Sequence, residues 1–250
     1  MRRADVLFAA CAVVLGASAI FDSRVLPNGE NTWLKPLRFA IAFAVHAFTL
    51  DVLRRLCRRD EARDLWFALG RRGQIWAMVV ELACIAMQGA RGVPSHFNTS
   101  TAFDAAIFTV MGLGTLAFFA GYAAMAWSLI RRPGPSRLID VATIAGLVLS
   151  IAGGLVGVAM VSVFGGHGIG EGGGSLPLFG WRVAGGDLRV PHFVGIHALQ
   201  ALPALAWLAE RYLRRGRGAV LAVGSAAYLL LFAGVVHLTL AGRSLSDVFA

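Results

Sequence analysis

Charged side chains are scarce in this chain: Asp, Glu, Lys and Arg make up 15% of its 250 residues, where a soluble domain carries about a quarter. With 57% hydrophobic residues and a mean hydropathy of +0.69, an ordinary water-soluble globular domain is excluded. Lysine is almost missing. Lys35 is the single one, so the net charge of +9 rests on arginine. Cysteine is nearly missing as well. Cys11 and Cys84 fall in apolar runs and Cys57 in a basic loop, with no CxxC spacing. That argues against a disulfide framework and against a thiolate metal site.

What is present comes in blocks. Apolar runs of about 18 residues or more, enough to cross a bilayer, recur along the chain. They predict an all-α, polytopic transmembrane helical bundle. It is read as a single transmembrane domain over 1–250 with seven spans, roughly 4–21, 35–53, 74–92, 104–130, 139–164, 190–209 and 219–241. The first run follows "MRR" as a secretory signal would. No clean small-residue cleavage site follows it and more spans come after, so it reads as a retained first helix.

The arginines concentrate in "RRLCRRDEARDLWFALGRR" (54–72), "RRPGPSR" (131–137) and "ERYLRRGRG" (210–218). All three join an even span to the next odd one, and "MRR" lies on the same side. The positive-inside rule places that side in the cytoplasm, with the amino terminus inside and the carboxyl terminus extracytoplasmic. Basic charge distributed this way sets topology and does not call for nucleic acid. Arg in place of Lys, with abundant Ala and Gly, points to a high-GC bacterium. The expected location is therefore a bacterial inner membrane, with the lipid bilayer as first partner.

The cytoplasmic connections read as short and generic. The opposite ones, "FDSRVLPNGENTW" (21–33), "GVPSHFNTSTAF" (92–103) and "GGHGIGEGGGSLPLFGWRVAGGD" (165–187), are rich in Gly, Pro, Asn and Ser, and richer in His and Trp than connectors need to be. Long, chemically particular loops tend to carry function, so function is expected on the extracytoplasmic side. The glycines of 165–175 also fit a floppy connector. In span five, Gly146, Ser150, Gly153, Gly154 and Gly157 form a small-residue stripe that lets helices approach closely in lipid.

Ionisable groups inside spans are costly and mark candidate sites. Lys35, Arg38, His46 and Thr49 share one face of span two. His46 lies about 16 Å deeper than Lys35 at the helical rise. Glu81, Cys84, Gln88 and Arg91 form a stripe on span three, with Glu81 expected near the depth of His46. Span six opens with "GDLRVPHFVGIHALQ" (186–200). There Asp187 is placed to cap the helix, and Arg189, His192 and Gln200 share a side. His197 is five residues from His192, about 140° around the helix, a poor spacing for one shared ion. His96 lies just beyond span three and His237 near the end of span seven.

The segments "NTWLKPLRFAIAF" (31–43), "ARGVPSHFNTSTAFDAAIFTVMG" (90–112) and "GDLRVPHFVGIHALQALP" (186–203) resemble a widespread group of uncharacterised bacterial seven-span integral membrane proteins. The resemblance covers most of the chain and implies topology and outward-facing segments, with no established activity. Two better-known classes do not fit. Seven-helix zinc hydrolases of the adiponectin-receptor and ceramidase type use an HxxxH pair that is missing here. Microbial rhodopsins need a lysine in the last span.

The expected function is binding of haem b or a transition metal in a redox role, in a histidine-lined, cation-rimmed extracytoplasmic site. Imidazoles from His46, His197 and His237 would clamp a haem, with Arg38, Arg91 and Arg189 pairing with its propionates. One alternative is a zinc-dependent hydrolase with His96, His192, His197 and His237 around the metal, Glu81 beside it and Gln88 or Gln200 positioning an anionic, lipid-like substrate. The other is a small-solute carrier or receptor in which His46 and Glu81 relay protons.

Overall fold

The computed structural model describes residues 4–176 and 179–244. Met1–Arg3, part of the orientation argument, lie outside the described residues. Among the described residues seven helices follow in order: α1 (Ala4–Phe21), α2 (Leu34–Leu56), α3 (Leu65–Arg91), α4 (Ala102–Arg131), α5 (Arg137–Ser162), α6 (Arg189–Tyr212) and α7 (Arg217–Leu240). Each is long and apolar enough to cross a membrane. The only sheet among the described residues is a two-residue pairing of β1 (Gly168–Ile169) with β2 (Gly186–Asp187).

Most helix ends fall within three residues of those expected. The exception is α3, which starts nine residues before the expected span. Asp64 explains it. Its carboxylate accepts the Phe67 amide at 3.2 Å, which caps a helix start and lets "LWFAL" continue into the apolar run. The basic loop expected over 54–72 is correspondingly shortened.

The described residues form two compact units. One is Met1–Val52 with Ala68–Ala124; the other is Leu53–Phe67 with Met125–Ala250.

In the first unit, α1 and α3 are opposites. α1 has a mean hydropathy of 2.2 and only 11% of its window buried, while α3 has 1.2 and 50%. A helix surrounded by lipid must be apolar all round; a helix surrounded by protein can carry polar groups. So α3 is the enclosed helix of this unit and carries its polar residues. Its Cys84 and Ile85 pack with Met111, Phe39, Ile107 and Phe108. Phe8 of α1 meets Phe43 of α2 edge-on at 5.7 Å.

In the second unit, the small-residue stripe of α5 packs against α6. A side chain at Gly153 would meet the Gly195 backbone at 2.7 Å. The Ser150 hydroxyl donates to the Ile196 carbonyl at 3.0 Å. From α7, the Tyr228 hydroxyl donates to the Val194 carbonyl at 2.6 Å. The 165–187 loop is tied rather than floppy. Gly168 pairs with Asp187, and the Arg182 guanidinium donates to the Gly170 and Gly172 carbonyls at 3.3 and 3.4 Å. Pro177 and Leu178 within it lie outside the described residues.

The basic connections are not generic. Arg59 is buried. It donates to Asp64 at 3.1 Å and to the Arg132 carbonyl, and faces Asp140 at 3.7 Å. Ser128 donates to Asp64, and Asp140 accepts the Gly134 amide. One arginine thus ties the α2–α3 turn to both ends of the α4–α5 turn.

Candidate functional site

The expected site residues divide between the units. Arg38, His46, Glu81, Gln88, Arg91 and His96 belong to the first; Arg189, His192, His197, Gln200 and His237 belong to the second.

In the first unit the polar groups of α3 form a ladder. Gln74, Glu81 and Gln88 recur every seven residues, which returns to the same helix face, and they are 0%, 9% and 0% exposed. Each rung meets a different element. Gln74 Oε1 lies 2.8 Å from His46 Nε2 on α2. An amide oxygen only accepts, so this contact puts the imidazole hydrogen on Nε2. Rings of Phe118 and Tyr122 stand 5.1 and 5.8 Å from the imidazole. His46 therefore pairs with Gln74, about 10 Å of helix from Glu81. Gln74 was missed because the expected span began there and the residue read as a boundary; its spacing from Glu81 and Gln88 was the available signal.

Glu81 Oε1 lies 3.3 Å from His96 Nε2, the middle rung. Glu81 precedes Arg91 by about 15 Å of helix, so the connection after α3 folds back beside it to bring His96 there. Two features hold the loop. Phe97 sits in the left-handed region at φ 59°, uncommon for a bulky residue. Asn98 donates to the Pro94 carbonyl and accepts from the Ser100 amide. The second imidazole nitrogen, Nδ1, is 3.1 Å from Ser95 Oγ. Phe39 and Phe108 flank the ring at 5.9 and 6.2 Å. Burial pushes the His96 pKa below its ordinary value; the Glu81 hydrogen bond opposes this, and the Lys35 charge adds to it.

The third rung closes the end of α3. Gln88 donates to Asp104 at 2.8 Å, and Arg91 bonds Gln88 and pairs with Asp104 at 2.5 Å. Thr101 and Asp104 bond reciprocally at the start of α4, a capping arrangement. Arg38 pairs with Glu30 at 2.6 Å. Asp22 accepts from Arg24 and from Trp33 Nε1, which holds its carboxyl well below the usual range.

In the second unit His192 and His197 are each engaged locally. His192 Nδ1 is 2.8 Å from the Gly153 carbonyl of α5. His197 Nδ1 is 2.8 Å from the Phe193 carbonyl one turn back, and its ring stacks on Phe193 at 3.8 Å. His237 is exposed on α7 and Gln200 half-buried on α6. Asp187 does not occupy the cap position, which is Leu188. It accepts the Arg189 and Arg182 amides and pairs with the Arg189 guanidinium at 2.6 Å. Burial raises its pKa, but Arg189 and these amides outweigh that and leave it lowered.

The three rim arginines are thus each neutralised within their own unit: Arg38 by Glu30, Arg91 by Asp104, Arg189 by Asp187. Among the described residues no group of three or more His, Cys, Asp or Glu side chains is placed to hold a metal ion. What the geometry does offer is an acid–base pair, Glu81 with His96, on the polar face of an enclosed helix. Comparison with protein-family models, with curated proteins and with solved structures finds no match to this chain.

Proposed function

We propose that the chain is a multi-pass protein of a bacterial inner membrane, amino terminus in the cytoplasm and carboxyl terminus outside. In this reading it binds a small solute and couples that binding to a proton at Glu81 and His96. The observation that carries the reading is the 3.3 Å Glu81–His96 contact, made by a loop that folds back along an apolar helix. Buried ionisable groups in such helices are expensive and mark function. With Nε2–H donated to the carboxylate, Nδ1 accepts the Ser95 hydroxyl. A proton arriving at Nδ1 turns that nitrogen into a donor, so the Ser95 hydroxyl must rotate to accept. Proton binding is thereby read out as a reversal of one hydrogen bond, beside the Phe39 and Phe108 rings that would wall a solute.

The test uses proteoliposomes holding a trapped pH dye, challenged with a panel of amino acids, short carboxylic acids and sugars. At least one member should move protons with wild type, and Glu81→Gln should reduce that movement by tenfold or more. A panel giving no signal above empty vesicles overturns the reading, as does a Glu81→Gln protein indistinguishable from wild type.

A redox reading rests on α6. Carbonyl partners at Nδ1 of both His192 and His197 leave Nε2 of each as a lone pair, the form that binds haem iron or a transition metal. Haem needs one or two such ligands, not three. A Soret band in purified wild-type protein that is lost in His197→Ala would establish it. Colourless protein, free of metal by elemental analysis, removes it.

A further inference from the structure

We infer that the turn between α6 and α7, with the groove beside it, is a binding site for one anionic diacyl phospholipid. The phosphate would sit against Arg214, Arg215 and Arg217 and an acyl chain along the groove. Both halves lie in the second unit, and the site is independent of the function proposed above.

The cationic half stands out by contrast. Arg38, Arg59, Arg91 and Arg189 are each held by a carboxylate. Arg214, Arg215 and Arg217 are exposed, and among the described residues none of them has a carboxylate partner. Glu210, the acid next to them in sequence, is bound by the Ser136 hydroxyl. Arg217 is steadied by donating to the Leu213 carbonyl at 2.6 Å, which leaves its outer nitrogens for a ligand. A phosphate is an anion that guanidinium groups recognise well.

The apolar half begins at the same turn. Leu205, Ala219, Val220, Val223 and Gly224 line a groove of about 430 Å³, open on its outer side. Its volume falls in the range of small-molecule sites, but it has only hydrocarbon to offer. Gly224 is part of its construction, since a side chain there would meet Leu205 Cδ2 at 2.2 Å. Tyr212 is 72% and Trp207 44% exposed nearby on α6, and such amphipathic rings settle at headgroup level. A basic turn that only set topology would need no groove; a groove that only met bulk lipid would need no unpaired arginines. A phosphodiester carrying acyl chains satisfies both, and basic residues next to a span attract anionic lipid headgroups.

The experiment is native mass spectrometry of the full chain in a non-ionic detergent, titrated separately with dioleoyl phosphatidylglycerol, dioleoyl phosphatidylcholine and glycerol phosphate. Phosphatidylglycerol should bind one to one, about tenfold tighter than phosphatidylcholine, and glycerol phosphate should not displace it. Replacing Arg214, Arg215 and Arg217 together by Gln should weaken phosphatidylglycerol about tenfold, and Val220→Trp, which fills the groove without changing charge, should weaken it too. Equal binding of the two lipids overturns the site. So does displacement by glycerol phosphate, or a folded triple variant that keeps wild-type affinity. The three wild-type titrations decide the matter even if a variant fails to fold.

Discussion

Burying the His96 imidazole disfavours its charged form; Glu81 pulls the other way and Lys35 pushes further down, leaving the pKa below the ordinary 6.5. The unfolded chain therefore holds this proton more readily than the folded one. The stability contributed here is complete above about pH 6.5 and is lost as pH falls through that value towards the folded pKa. Unfolding followed between about pH 7.5 and 5.5 should show a loss on acidification that shrinks in His96→Asn, and an unchanged slope in the variant contradicts the assignment. Arg59 makes the second residue-scale case. Arg59→Met would leave Asp64 and Asp140 buried without their counter-charge, at a cost of about 3–5 kcal/mol. Thermal unfolding should show it, and Arg59→Met with Asp64→Asn together should recover part of the loss.

Among the helices, the α5–α6 pair depends on the absence of side chains. Gly153→Val would drive a branched group into the Gly195 backbone, which cannot yield as a flexible side chain could. The expected cost is about 2–3 kcal/mol, read by denaturant unfolding in mixed micelles. Gly234→Ala, with nothing within 4 Å, is the control and should change little. The stripe behind this was legible in the sequence, as were the seven helices, because apolar length and small-residue spacing are local properties. The start of α3 was not, since Asp64 acts through a single capping bond. Nor was the return of His96 to Glu81, because a loop that folds back leaves no periodic trace. The rim cations were recognised as a group, but their acids were not. Glu30, Asp104 and Asp187 lie two to thirteen residues from the arginines they neutralise, and sequence alone does not say which will meet.

At the scale of the whole chain, Cys57 reports on integrity. Burial pushes its thiol up to about 12, against the hydrogen bond from Thr143. It should resist maleimide at mildly alkaline pH and react only when denaturant opens the second unit; rapid labelling of native protein would contradict its burial. The proposed orientation has its own check. A membrane-impermeant maleimide applied from outside intact inner-membrane vesicles of native sidedness should label Gly173→Cys and spare Gly218→Cys, and the reverse pattern inverts the topology.

The internal pairing of Arg38, Arg91 and Arg189 bears on how anything arrives. Charges cancelled at contact distance project almost no field beyond a few ångströms. A dissolved molecule drifting towards these three arginines would not be steered there by the sign of its charge. Capture beside these paired arginines should then be nearly indifferent to ionic strength, and selection there must be made by shape and hydrogen-bond fit after the encounter.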